Sequence, residues 1–119
     1  MRMMHVTIMT KQLNESVRFY EEQVGLTIQR DMRDNPEHQI VFMSDKSGGT
    51  CVELVHNPGA AYYGGGISIG FEVEDIDKEY EKKEELGLKP GPMISPNPHA
   101  RFFFVKDPNG VDIQFVQED

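Results

Sequence analysis

The sequence predicts an α+β fold made of two tandem βαβββ modules, and three observations carry that reading. A strand-like alternation over His5-Val6-Thr7-Ile8 returns 63 residues later as Ser68-Ile69-Gly70-Phe71. Each copy is followed by apolar residues at helical spacing, and each half then closes on strand-like runs joined by a turn. The chain has 119 residues, 38% of them hydrophobic and 27% charged, which suits a folded globular protein. Twelve Lys and Arg against 20 Asp and Glu give a net charge of −8. An acidic chain without a basic cluster has no means to grip nucleic acid or an anionic membrane surface. One cysteine excludes an internal disulfide framework and a Cys-rich zinc module. The N-terminal Met1-Arg2-Met3-Met4 leads straight into the first strand pattern without a signal-peptide core, so a cytoplasmic protein is expected.

The elements follow in order. In the first strand Val6 and Ile8 share one face, and His5, Thr7 and Met9 the other. Leu13, Val17, Tyr20 and Val24 lie on one side of a helix, with Asn14 as its expected N-cap and Gly25 as its stop. Asp75 is expected to cap a second helix carrying Ile76, Tyr80 and Leu86 and ended by Gly87. Its many charged residues, Lys83 among them, read as a solvated face. Val41-Phe42-Met43-Ser44 aligns with Phe102-Phe103-Phe104-Val105 at an offset of 61, and Glu53-Leu54-Val55 aligns with Gln114-Phe115-Val116 at the same offset. Asp107-Pro108-Asn109-Gly110 is a strong turn signal, because Pro sets φ while Asn and Gly accept positive φ. The resulting boundaries are residues 1–57 for the first module, 58–66 for a Gly- and Tyr-rich linker, and 67–119 for the second module. The linker's glycines lack the Lys-Ser/Thr of a phosphate loop. Pro90, Pro92, Pro96 and Pro98 mark an exposed loop or lid in the second module.

His5, Ser16-Val17-Arg18-Phe19-Tyr20, Glu53-Leu54, Phe71-Glu72-Val73-Glu74-Asp75-Ile76 and Phe104-Val105-Lys106-Asp107-Pro108-Asn109-Gly110 occur in an order and spacing that cover nearly the whole chain. Together they resemble the vicinal oxygen chelate superfamily, also called the glyoxalase/bleomycin-resistance/dioxygenase superfamily. The resemblance implies a curved mixed sheet from paired modules around a cavity, a homodimer, and a cavity able to hold a divalent metal.

The repeat sets four positions apart on the less apolar strand faces: His5 and Ser68 on the first strands, Glu53 and Gln114 on the last. Glu53 stands out on physical grounds, since a carboxylate among Cys51, Val52, Leu54 and Val55 needs a cation, a metal or a hydrogen-bonding partner. In glyoxalase-like enzymes these four positions carry metal ligands. The resemblance therefore implies His5, Glu53 and Gln114 as ligands to Ni, Mn, Co or Zn, with Ser68 standing where histidine is usual. It also implies Glu53 as the catalytic residue, moving a proton from a carbon beside a carbonyl while the metal acts as a Lewis acid. Ser68, Asn57, Met9, Met43, Arg101 and Phe104 are the expected substrate-binding residues. Glutathione-using relatives share His5, Glu53 and Asn57 but carry arginine where this chain has Met9, which cannot pair with a carboxylate. That difference argues against glutathione. With Ser68 and Gln114, the chain also lacks the second His and final carboxylate of an extradiol dioxygenase. His56 has the opposite parity to Glu53, His99 follows the Pro-rich loop, and Cys51 reads as a small buried strand residue. Tyr62 and Tyr63 either close over the pocket or anchor the linker.

Two functions follow from the resemblance. One is a glyoxalase-I-like, metal-dependent lyase or isomerase acting on a small oxygenated substrate. The other is a metal-independent small-molecule-binding protein of the bleomycin-resistance type, with no cofactor. A ligand-free accessory domain is a third reading, and Glu53 in an apolar strand argues against it.

Overall fold

The computed structural model describes residues 1–62 and 65–119. Tyr63 and Gly64, in the expected linker, lie outside the described residues. The chain divides into two compact units, Met1–Tyr62 and Tyr63–Asp119. The first runs β1 (His5–Thr10), α1 (Leu13–Phe19), β2 (Thr27–Asp31), β3 (Ile40–Ser44) and β4 (Cys51–His56). The second runs β5 (Ser68–Glu72), α2 (Ile76–Glu85), β6 (Ile94–Asn97), β7 (Ala100–Lys106) and β8 (Asp112–Glu118). Each unit holds a four-stranded mixed sheet, in the orders β1-β4-β3-β2 and β5-β8-β7-β6. The first strand pairs parallel with the last, and the other pairings are antiparallel. The fold is therefore α+β, with the βαβββ order predicted from the repeat. No helix among the described residues is long and apolar enough to cross a membrane.

In the first unit the helix-side face of the sheet carries Ile8, Val41, Met43, Val52 and Leu54, all buried, with Val17 and Tyr20 of the helical segment buried as well. Leu13 rather than a polar residue opens α1. The cap is Gln12, whose backbone N–H donates to Thr10 Oγ1 and whose carbonyl accepts from Ser16 Oγ. Asn14, the expected cap, lies inside the first turn, where its side-chain oxygen accepts from Arg33. A π-helical turn, Tyr20–Val24, extends α1 and ends at Gly25, whose φ of 83° is the left-handed conformation that glycine adopts without steric cost.

The second unit buries Phe103, Val105, Ile113 and Phe115 beneath Ile76 of α2. Asp75 caps α2 as expected, accepting from the Lys78 N–H. The buried stripe of α2, however, is not the one expected. Leu86 lies past the helix end and is exposed, whereas Lys83, seven residues after Ile76, turns inward and is 1% exposed. Its ammonium pairs with Glu79 at 3.1 Å and stands 4.8 Å from the centre of the Phe115 ring. Helical spacing, not residue type, decides which side chain faces the core here.

Two further expectations change. The Pro-rich stretch is not wholly loop, since Ile94–Asn97 forms β6 at the sheet edge, where Pro96 leaves no interior ladder bond unmade. The second hairpin is also one residue shorter than the first. Phe42 pairs with Glu53, and Phe104 pairs with Gln114, so Phe104 corresponds to Phe42 at an offset of 62. The turns agree, because Asp45 and Asp107 each accept from the amide two residues on, and Gly48 and Gly110 both have positive φ. The first hairpin then carries the extra residue Gly49. One residue of slip reverses every side chain of a strand.

Burial holds the Lys83 ammonium below its ordinary pKa of 10.5, against the raising effect of the Glu79 bond. Between that lowered value and 10.5 the unfolded chain binds more protons, so this residue's contribution to stability rises with pH across the window. We expect Lys83→Met to leave stability at pH 7 unchanged or raise it by about 1 kcal/mol. Urea unfolding of both proteins at pH 7 and pH 9.5 should show the mutant's relative advantage shrinking at the higher pH.

Candidate functional site

Strand β4 lies inside its sheet, between β1 and β3, so a side chain on its open face has neighbours on both sides. Glu53 is such a residue. Thr7 is its register partner on β1 and Phe42 its partner on β3. Thr7 Oγ1 donates to Glu53 Oε1 at 2.5 Å, and His5 Nε2 stands 3.4 Å from the same oxygen. The Glu53 side chain is 14% exposed and that of His5 36%, so a half-buried carboxylate meets an imidazole open to solvent. The His5 ring meets Phe42 edge to face, with centroids 6.0 Å apart, which restricts its orientation. Met9 continues the same face of β1 and is half exposed. Cys51 pairs with His5 in register and is half-buried on this face rather than enclosed in the core.

The second unit repeats this frame with other side chains. Ser68 pairs with Asp112, and Gly70 pairs with Gln114. A methyl group at Gly70 would lie 3.0 Å from Gln114 Oε1, so the absent side chain is what gives the amide its room. Phe104 borders Gln114 on β7 and meets Phe102 edge to face at 5.7 Å. Asp112 shares the face of Gln114 and pairs with Lys106 at 2.5 Å.

His5 and Glu53 are thus in contact, and Ser68, Gln114 and Phe104 share one face of the second sheet. Two expected residues lie elsewhere. Met43 is fully buried on the helix-side face because of the one-residue slip, and Phe42 takes the place assigned to it. Arg101 has the parity of Phe103 and forms a two-point ion pair with Asp77 of α2, at 3.0 and 2.9 Å. That pairing holds the Asp77 carboxyl below its ordinary range. Asn57 follows β4, and its side-chain oxygen accepts from the Gly59 N–H, closing its own turn. His56 is exposed at the end of β4, beside Lys11 and Arg33, and His99 is exposed before β7. Thr7, Phe42 and Asp112 complete the picture without having been singled out. Strand parity alone would have found Thr7 and Asp112.

A family model described as the glyoxalase/bleomycin resistance protein/dioxygenase superfamily matches residues 2–115. The chain belongs to that superfamily. Among curated proteins it is 29% identical to the lactoylglutathione lyase of Neisseria meningitidis, over 99% of this chain and 91% of the relative. Among solved structures it resembles the trypanothione-dependent glyoxalase I of Leishmania major, with a TM-score of 0.74 and 25% identity over 99% of this chain and 87% of the other. It also shares the fold of TnmS3, an antibiotic binding protein from Streptomyces, with a TM-score of 0.76 and 20% identity over 100% and 97% of the two chains. Function varies widely on shared folds of this kind, so the site's own chemistry has to be weighed.

Two donor atoms of the first unit, His5 Nε2 and Glu53 Oε1, stand close enough to share one divalent ion. Neighbouring ligands on an ion with bonds of about 2.1 Å lie roughly 3 Å apart, close to the separation of His5 Nε2 and Glu53 Oε1. No third His, Cys, Asp or Glu joins them among the described residues. Gly70→Ala tests the frame of the second unit. It should change stability by less than ~0.5 kcal/mol, because the end of a flexible side chain can yield. The Gln114 side-chain amide resonances should shift, and an unshifted amide would show that Gly70 does not set its position.

Proposed function

We propose that this chain is a metal-dependent lyase or isomerase of the glyoxalase I type, acting on a small substrate with adjacent oxygens. The observation that carries the reading is the convergence of His5 Nε2 and Glu53 Oε1 on one strand face, with Thr7 bonded to the same carboxylate oxygen. The lactoylglutathione lyases among its relatives support it. His5 and Glu53 would hold the ion through an imidazole nitrogen and a carboxylate oxygen, donors suited to Ni, Mn, Co or Zn. When bound, the ion supplies Lewis-acid polarisation of the substrate oxygens.

This chain's residues supply the rest. Glu53 accepts the proton from the carbon beside the carbonyl and returns it to the neighbouring carbon, the transfer an isomerisation of this class requires. Thr7 orients the Glu53 carboxylate through its hydrogen bond, and Phe42 restricts the imidazole of His5. Met9 offers no charge to a substrate carboxylate, so glutathione is not the expected thiol carrier. A second reading, a metal-independent binding protein, rests on Ser68 and Gln114, two uncharged hydrogen-bonding groups on one face of the second unit's sheet.

Metal analysis after incubation with Ni²⁺, Mn²⁺ or Zn²⁺ separates the two readings. We expect stoichiometric binding, and no binding at micromolar metal would overturn the lyase. Turnover of methylglyoxal, measured with and without glutathione, should fall at least ~100-fold in Glu53→Gln. Thr7→Val should retain the metal and lose roughly tenfold in kcat, the usual scale for a group that orients a ligand.

A further inference from the structure

We propose that the second unit contains a ligand groove for the anionic end of a small apolar molecule, with Lys89 as its charge partner. The groove encloses about 440 Å³ and is lined by Leu88, Lys89, Gly91, Phe104, Lys106 and Asp112 together with Val105, a size that holds a drug-sized ligand. Its floor is aromatic, because Phe104 is held edge-on by Phe102. Its wall is the segment after α2, tied at both ends: Leu88 N–H donates to the Lys83 carbonyl and Gly91 N–H to the Phe104 carbonyl, each at 3.0 Å. A groove fixed in this way loses little entropy when a ligand enters.

The charges decide which ligand. Three ionic groups line the groove, and two of them cancel, since Lys106 Nζ lies 2.5 Å from Asp112 Oδ1. Lys89 is in no ion pair among the described residues, so an apolar groove in a chain of net charge −8 is left with a single positive group. The backbone of Lys89 supports a selected role. It is the one non-glycine among the described residues with positive φ, at 54°, where a straight-chain residue is disfavoured and glycine would be at ease. Residues held in sparsely populated backbone conformations cluster at ligand-binding and active sites.

The ligand class is an aryl or alkyl monoanion. Asp112 shares a face of β8 with Gln114, two residues along the strand, or about 7 Å. A molecule with its anionic end at Lys89 and its body on Phe104 thus lies on the face of the second sheet that carries Gln114. This goes beyond the proposed function and does not rest on it.

The test is an amide-shift titration of the full chain, without metal or turnover, using 2-naphthoate and its uncharged analogue 2-naphthamide. We expect shifts at Leu88, Lys89, Gly91, Phe104 and Val105, and at least fivefold tighter binding of the naphthoate. Lys89→Gln should abolish that preference while leaving naphthamide binding within twofold. Lys89→Gly should lose the preference too, with a Tm no lower than that of the unmodified protein. Equal affinity for the two probes, shifts confined to other surfaces, a preference that survives Lys89→Gln, or a lowered Tm in Lys89→Gly would each overturn the proposal. Failure here with metal-dependent turnover intact removes the groove alone. A naphthoate preference in a chain that binds no metal removes the lyase alone.

Discussion

The parallel pairing of β1 with β4 is the constraint on which the candidate site depends. It puts Thr7 opposite Glu53 and His5 one step along, while β3 closes the other side with Phe42. A carboxylate on an interior strand is partly withdrawn from water, and that withdrawal is costly unless donors are close by. Thr7 supplies a hydrogen bond, and His5 supplies a ring nitrogen able to carry charge. Were β1 displaced by one residue, Val6 and Ile8 would face Glu53, and the helix-side core would receive the polar set instead. Fold and site therefore share one register, and the packing of Ile8, Val52 and Leu54 against α1 also holds the His5–Glu53 pair in place.

The same rule explains what could be read from the chain and what could not. The order of elements, and the shared strand faces of His5 with Glu53 and of Ser68 with Gln114, were legible because an internal repeat and a period of two both report backbone geometry. Met43 was misplaced for an equally physical reason. The offset of 61 holds for β4 and β8, but the β3 hairpin contains Gly49, which has no counterpart in the Asp107–Gly110 turn. An insertion within a turn leaves no mark on hydrophobicity, and it reverses the strand before it relative to the repeat. Arg101 was misplaced differently. Its partner Asp77 lies 24 residues away, a contact with no local signature.

Lys83 shows the limit of reading burial from residue type. Its long apolar stem lies among core side chains, and its head finds Glu79 one helical turn back and the face of Phe115 below. Of the eleven residues from Ile76 to Leu86, only a few can face the sheet. Spacing selects Ile76, Tyr80 and Lys83 over Leu86, which falls beyond the last turn. The arrangement is tolerable because both poles of the ammonium's environment, a carboxylate and an aromatic face, come from elements already required by the fold.

The two units use one frame for unequal chemistry. At equivalent places the first carries His5, Thr7, Cys51 and Glu53, and the second carries Ser68, Gly70, Asp112 and Gln114. A neutral amide on an interior strand needs no countercharge, so Gly70 can stand where Thr7 must donate. The reverse exchange would not hold: glycine opposite Glu53 would remove its hydrogen-bond donor and leave the carboxylate to His5 alone. Relief from that demand leaves the second unit's face free to differ in shape, with the Gln114 amide close over Gly70 and an aromatic surface at Phe104. The first unit thus sets a carboxylate and an imidazole on its open strand face where the second sets an amide and a hydroxyl.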